Sequence, residues 1–463
     1  MNQIAILLAA TLVGASPNAM PSGGATALPV QGTEAAEVST VETARVALEM
    51  VSDADWARQR TGPLLNQVFN RTSPASVEAL ARTGDARAQA LIGYAYYFGG
   101  GSDPVRRHQG RDWLEQATRQ GDARATTVLG TIAENGWGAP VDSKEAARLY
   151  RTAAERGYAL AQYFLGRLYD SGEGVPQDFA EAVVWYRKAA AQGSSEAQYE
   201  LGRSYQWGDG VKQDYAEAMR WYRASADQGD ASGYYGVGGM HDHGMSVPQD
   251  YSQALRWYLR AAQMGLSDAQ LAVGEMYSFG RGVAQDYAEG LKWYRMAAAQ
   301  ENTQAYAEIG YLYENGMGVP KDLAEAVRLY RKGADEEDAL GQRYLGDLYF
   351  NGRGVPQSYA EALKWYRLAA AQNDDGAFVH LGYMYDHGLG VTMDHVEAVR
   401  WFRKAADQNN SAGQWDLGWA YAYGKGVAKD MTKALSLIRA AAAQGETGAQ
   451  QWLLEHGEAL PVR

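Results

Sequence analysis

The chain has 463 residues and a formal charge of −12, from 43 Lys and Arg against 55 Asp and Glu, a balance that argues against the basic stripe a nucleic-acid binder needs. It has no cysteine, which excludes a disulfide framework, a thiolate metal site and a cysteine nucleophile together. Glycine (53 residues) and tyrosine (31, against 8 phenylalanines) are in excess, and both excesses recur with a fixed period.

At the start, residues 4–13 form an apolar run followed by small residues, with Ala25-Thr26-Ala27 as a small-x-small cleavage site. This is the outline of a signal peptide, although no Lys or Arg precedes the run, and it is too short to span a bilayer. Export to a periplasm or to the exterior is expected, with residues 1–27 as the leader. No later stretch reaches the roughly 18 apolar residues of a transmembrane helix, so no membrane span is expected. Residues 28–83 read as a linker and capping helices, because Val38, Val41, Leu48 and Val51 share a helical face between 33 and 60 and Gly62-Pro63 ends it.

From Gly84 the chain repeats. The residue preceding each helical segment is Gly84, Gly121, Gly157, Gly193, Gly229, Gly265, Glu301, Glu337, Asn373, Asn409 and Gly445, spaced by 37 once and by 36 nine times. Ten repeats therefore fill 84–444, and 445–463, with Ala449, Trp452 and Leu453, reads as a terminal capping helix and tail. Repeat 4 shows the physics. Ala197, Leu201 and Tyr205, four apart, form the apolar stripe of a first helix. Gly202 lies inside that helix, where glycine costs about 1 kcal/mol relative to alanine. Its presence at the same place in all ten repeats implies close approach of a partner helix. Gly208 and Gly210 end the helix and supply left-handed turn positions. Asp214, with Glu217 three residues on, begins a second helix in the manner of a capping box. The pair recurs as Asp178/Glu181, Asp286/Glu289, Asp322/Glu325, Asp394/Glu397 and Ser358/Glu361. Trp221 and its counterparts Trp113, Trp185, Trp257, Trp293, Trp365 and Trp401 are expected to fill the groove between repeats, with Leu149, Leu329 and Leu437 taking that slot elsewhere. A helix pair with an apolar face that it cannot bury alone must stack on its neighbours.

These features are clearest in Ala161-Gln162, Leu165-Gly166, Tyr169, Gly172-Glu173-Gly174-Val175 and Trp185-Tyr186-Arg187-Lys188-Ala189-Ala190. They resemble the Sel1-like repeat family, relatives of the tetratricopeptide repeats, over residues 84 to about 455. The resemblance implies an all-α fold, a right-handed α-solenoid of helix-turn-helix units. It also implies an adaptor between proteins, of the kind found in secretory quality control and in bacterial envelope, signalling and host-contact proteins. Some bacterial branches carry a disulfide in every repeat, and this chain departs from them. Repeat 1, with Gly99-Gly100-Gly101, and repeat 5, with His241 in the tyrosine slot and Ser246 in the second glycine slot, drift furthest from the pattern.

Neither a His-Glu-x-x-His nor a Gly-x-Ser-x-Gly motif occurs, and neither enzymatic activity nor a cofactor is expected. The recurring Gly-x-Gly is not followed by the Lys-Ser/Thr of a phosphate loop. His241-Asp242-His243 and Asp386-His387 have metal-ligating types. Both stand where other repeats read Tyr-x-x-Gly, so repeat drift explains them and no metal is expected. The Arg-Lys pairs that follow Trp-Tyr, such as Arg187-Lys188, are expected to solvate the outer face and complement a helix C-terminus.

By similarity to tetratricopeptide geometry, the concave face is lined by first-helix positions two before the apolar Leu and two, five and six after it. Tyr163, Tyr199 and Tyr235 hold the first of these in consecutive repeats, with Arg167 and Arg203 two after the Leu and Trp207 six after. Asp242, Glu275, Glu314, Asp347 and Asp386 make the following repeats acidic, and repeat 10 offers Trp415, Trp419 and Tyr423 beside Tyr383. Two readings stay open. The tyrosines pack against neighbouring repeats and the repeat-10 stripe docks the terminal helix, or the aromatics with arginine form an interface, as hot spots prefer. The expected partner is a protein or peptide in the concave groove. The alternative is an envelope glycan, peptidoglycan or polysaccharide, whose sugars would stack on the rings.

Overall fold

The computed structural model describes residues 41–48, 68–99 and 103–461. The expected leader, Val38, Val51 and Gly100-Gly101 lie outside these residues. The regular elements among the described residues are helices, and the chain divides into two bodies, one ending at Gln249 and one beginning at Asp250. None of the helices is long and apolar enough to cross a membrane.

The N-terminal body opens with a cap. A helix over 41–48 and a second, Pro74–Arg82, bury Ala44, Ala47, Leu48, Val77 and Leu80 against Leu91 and Ile92 of repeat 1. Ser73 starts the second of these, its hydroxyl accepting the Ser76 N–H, with proline at the first helical position. First helices follow at Ala86–Gly99, Ala123–Asn135, Ala159–Ser171, Ser195–Trp207 and Ala231–Asp242, alternating with second helices Pro104–Arg119, Ser143–Glu155, Phe179–Ala191 and Tyr215–Asp227. The C-terminal body begins with Tyr251–Gln263 and continues through five helix pairs, from Ser267–Phe279 with Tyr287–Ala298 to Ser411–Tyr423 with Met431–Ala443. Thr447–Glu455 closes it.

The same kinds of contact recur within each body. All eleven residues that mark the period have left-handed backbone, with φ from 62° at Glu301 and Glu337 to 97° at Gly84. The period is thus written in the one conformation that glycine adopts without cost. The second turn glycine carries a further constraint, because a Cβ on Gly210 would lie 2.2 Å from the Phe179 carbonyl of the preceding repeat. Ser246, which stands in that slot in repeat 5, keeps φ at 62°.

The glycine inside the first helix makes room for a ring in seven repeats, from Gly130 against Tyr150 to Gly382 against Phe402, while Gly93 and Gly418 seat Leu114 and Ile438. A Cβ on Gly202 would stand 2.4 Å from Tyr222, and one on Gly166 would stand 2.7 Å from Tyr186. The partner that approaches closely is therefore the tyrosine that follows the Trp of the second helix. Tyr150, Tyr186, Tyr222, Tyr294, Tyr330 and Tyr366, one in each of six repeats, are all buried. The preceding Trp lies between repeats as expected: Trp185 packs with Ala146, Tyr150 and Ala153 of repeat 2, and Trp365 with Ala326 and Tyr330 of repeat 7.

Two sequence expectations are corrected. Only half of the capping box forms. Asp214 accepts from the Ala216 and Glu217 N–H groups, but its own N–H donates to the Tyr205 carbonyl at 2.8 Å, and Glu217 pairs with Arg220 instead. Asp322 and Glu325 repeat this arrangement. The arginine after Trp-Tyr is also more than a solvating residue. Arg187 donates to the Tyr205 hydroxyl of the next repeat at 2.8 Å, and Arg295–Tyr313 and Arg367–Tyr385 do the same at 2.9 Å. Each such arginine links one repeat to its successor.

Candidate functional site

In the N-terminal body the expected patch is partly consumed by packing. The Tyr163 ring lies 6.2 Å from Tyr186 and the Tyr199 ring 5.5 Å from Tyr222, each against the second helix of its own repeat. Tyr163, Tyr199 and Tyr235 are half-buried, and burial pushes the Tyr163 hydroxyl well up. Tyr163 and Tyr199 therefore each have a packing contact of their own, within their repeat. The arginines are paired. Arg167 reaches back to Glu134 of repeat 2, which also accepts from the Tyr150 hydroxyl at 2.7 Å, and Arg203 holds Glu200 at 2.8 Å. Burial raises Glu200 despite Arg203. Trp207 remains open to solvent.

One first-helix position that sequence reasoning did not weigh proves informative: the residue immediately before the apolar Leu. In repeats 3, 8 and 9 it is Phe164, Tyr344 and His380, and each ring packs on the tyrosine of the preceding repeat. The centroids are 5.0 Å apart at Tyr150, 5.1 Å at Tyr330 and 4.7 Å at Tyr366. In repeats 4, 7 and 10 the same position is Glu200, Glu308 and Asp416. Burial raises Glu308 to about 7, aided by Glu275 and Asp338 against Arg343. It raises Asp416 to about 7 as well, aided by Glu446 and Asp386. The signal in the sequence was a carboxylate in a slot that neighbouring repeats fill with a ring.

The C-terminal body shows the structural consequence. A pocket of about 210 Å³ opens between the first helices of repeats 9 and 10, lined by Tyr383, Asp386, His387, Phe402, Trp415, Asp416, Trp419 and Lys425. Asp416 is too short to cover the Phe402 ring as His380 covers Tyr366, so the pocket occupies the volume of the missing ring. Trp415 and Trp419 of the expected repeat-10 stripe line it, and Tyr423, outside the lining, stands with its ring 4.8 Å from Trp419. Part of that stripe also meets the terminal helix. Trp452 donates to the Tyr423 hydroxyl at 3.1 Å, and a Cβ on Gly448 would stand 3.2 Å from Trp415.

The acidic residues expected in this face divide by partner. Glu314 accepts from Tyr330 at 2.8 Å and pairs with Arg353 at 2.6 Å, and Asp347 accepts from Tyr366 at 2.7 Å and faces His380 at 3.2 Å. Asp386 holds His395 at 2.7 Å and Lys425 at 2.9 Å. Burial pushes its carboxyl up, and those two hydrogen bonds outweigh burial and hold it below the usual range. Among the described residues no group of three or more His, Asp or Glu is placed to hold a metal ion.

Seven aromatic side chains are exposed among the described residues. Five occupy the first-helix positions two or six after the apolar Leu: Trp207 (61 % exposed), Phe279 (56 %), Tyr423 (52 %), Tyr383 (43 %) and Tyr311 (36 %). Phe279 and Tyr311 were absent from the sequence candidates although they fill the same slots.

The Sel1 repeat family model matches eight consecutive segments over residues 86–374 and two more at 379–410 and 411–446. Among solved structures, c5321 is described as a protective antigen present in uropathogenic Escherichia coli strains displaying an SLR fold. It is 33% identical to this chain, covers 84% of it and is itself covered over 91%, with a TM-score of 0.50. A Sel1 repeat protein from Oxalobacter formigenes is 30% identical, with 53% of this chain and 96% of that one covered and a TM-score of 0.49. No curated protein matches the sequence.

Proposed function

The chain belongs to the Sel1 repeat family, whose members generally mediate protein–protein interaction, and on that premise we propose that it is an exported scaffold. It binds a protein or peptide partner in the groove lined by its first helices, in the periplasm or outside the cell, and carries out no reaction of its own. One observation carries this reading: five of the seven exposed aromatics sit on the first-helix face, at positions the repeat leaves free. Aromatic side chains in water are the surface that hot spots use, and patches of them on a soluble protein mark interaction sites. The acidic balance of the chain favours a partner that presents basic groups.

The experiment is affinity capture of the partner from an envelope fraction, followed by titration of the purified partner against Trp207→Ala and Tyr423→Ala. Each substitution should weaken binding about 10-fold or more, the scale of a hot spot, while the melting temperature stays within a few degrees of wild type. Binding should weaken with added salt. Capture of a polysaccharide with salt-insensitive affinity would replace this reading with glycan recognition, and an affinity indifferent to both substitutions would remove the first-helix face from the site.

A further inference from the structure

The pocket between repeats 9 and 10 is a concavity of the first-helix face on the scale of a single side chain. Trp415, Trp419, Tyr383 and Phe402 line it with aromatic rings. Of its two carboxylates, Asp386 is already engaged by His395 and Lys425. Asp416 has no hydrogen bond or ion pair among the described residues, and the two charges that raise its carboxyl, Glu446 and Asp386, are both negative.

We propose that this pocket receives one cationic side chain, lysine or arginine, of the protein partner. The proposal rests on the scaffold reading above and names the chemistry of one contact within it. Ring faces attract ammonium and guanidinium groups through their negative quadrupole, and a carboxylate at the same wall completes the complement. The chain itself supplies two precedents. Lys425 already lies 5.2 Å from the Trp419 ring centre with its ammonium on Asp386. In the preceding repeat the equivalent volume is filled by His380, 3.2 Å from Asp347. A neutral sugar can donate a hydroxyl to the Asp416 carboxyl but brings no positive charge to compensate it, and an anion would be repelled. The volume, about 210 Å³, is below that of drug-sized pockets and suits a single side chain.

Binding then depends on pH. The groups facing Asp416 are Asp386 and His387 on the first helix of repeat 9, His395 behind Asp386, Lys425 on the following turn and Glu446 at the start of the terminal helix. Asp416, raised to about 7 by burial and by Glu446 and Asp386, is neutral at low pH and charged at high pH. Affinity for a cation therefore rises as pH passes upward through about 7.

The test uses the full chain labelled with 5-fluorotryptophan, the Trp415 and Trp419 resonances assigned through single Trp→Phe variants. The probes are Nα-acetyl-lysine methylamide, Nα-acetyl-arginine methylamide, the uncharged isostere Nα-acetyl-norleucine methylamide, and N-acetylglucosamine. The cationic probes should move both resonances and bind at least about 10-fold more tightly than the norleucine probe at pH 8, losing roughly 10-fold by pH 6 as Asp416 protonates. Asp416→Asn should abolish both the charge preference and the pH dependence while the remaining tryptophan resonances stay in place, which shows that the fold persists. Equal binding of the norleucine probe, binding of the sugar alone, or a charge preference that survives Asp416→Asn overturns the proposal. If the cationic probes fail while partner binding still depends on Trp207 and Tyr423, the pocket assignment falls and the scaffold reading stands. If the probes bind as expected while Trp207→Ala and Tyr423→Ala leave partner affinity unchanged, the scaffold reading falls and the pocket remains.

Discussion

Replacing Gly202 by alanine tests the packing rule that recurs in seven of the repeats. Helix propensity alone predicts that Gly202→Ala stabilises by about 1 kcal/mol, since the residue sits mid-helix. The structure predicts the opposite sign. The added methyl would stand 2.4 Å from Tyr222 Cδ1 and 2.5 Å from its Cε1, more than 1 Å inside ordinary carbon contact at about 3.5–4.0 Å. The ring cannot yield freely: it is buried, its hydroxyl donates to Gln206 at 2.6 Å, and Gly236 of the next repeat lies against it as closely. Overpacking of such a site costs typically about 1–3 kcal/mol, so after the propensity gain of about 1 kcal/mol the net change should be a loss of up to about 2 kcal/mol. In a Tyr222→Ala background the clash is gone and the same Gly202→Ala change should stabilise by about 1 kcal/mol. Repeat arrays unfold in parts, so the readout is amide exchange in Ser195–Trp207 and Tyr215–Asp227, with exchange in helices far along the chain as the control. Gly202→Ala that raises protection in the wild-type background would refute the ring-seat explanation of the glycine.

Glu337 holds left-handed backbone, φ 62°, where a side chain costs about 1–2 kcal/mol; Glu337→Gly should return about 0.5–1 kcal/mol of that after the unfolded-chain entropy of glycine is set against it, seen as slower exchange in repeats 7 and 8. Glu308 is raised from 4.5 to about 7 mainly by burial; because the folded chain then holds its proton more tightly than the unfolded one, this contribution is complete below about 4.5 and fades as pH rises through about 7. The full effect is on the order of 3 kcal/mol, and Glu308→Gln should flatten the stability profile of that region between pH 5 and 8, a denaturant series at each pH giving the answer. A double-mutant cycle on Arg187 and Tyr205, 2.8 Å apart across two repeats, should return a coupling of about 0.5–1 kcal/mol, as an exposed hydrogen bond to a charged donor allows; zero coupling would return the arginine to a solvating role.

The architecture was legible because repetition multiplies weak signals. One glycine inside a helix is ambiguous, but ten at the same place, with Trp-Tyr following in five of the ten repeats, leave a single stacked solution. What stayed hidden was whatever depends on the geometry between repeats. Arg187 and Tyr205 are 18 residues apart in sequence, and nothing local marks them as partners. The second half of the capping box was lost because the Asp214 N–H had a tertiary use, the Tyr205 carbonyl. At the candidate site, the period marked the first-helix face but not which of its side chains the packing consumes. Tyr163 and Tyr199 lie against the buried Tyr186 and Tyr222, whereas Trp207 and Tyr423, at the end of the first helix, extend beyond those rings and remain exposed. Asp416 escaped notice because its significance is relational: a short polar residue opens a pocket only where its neighbours in the array carry rings.

The most direct measurement replaces single exposed aromatics with a photoreactive phenylalanine analogue, one site at a time, and irradiates the protein together with its partner. Trp207, Phe279, Tyr311 and Tyr423 represent the first-helix face, and Phe179 and Tyr215, exposed at the starts of second helices, serve as matched controls. Adducts to one and the same protein from the first-helix sites, with none from Phe179 or Tyr215, are the predicted result. Adducts of equal yield from both sets, or from the second-helix sites alone, would contradict the assignment of the binding surface.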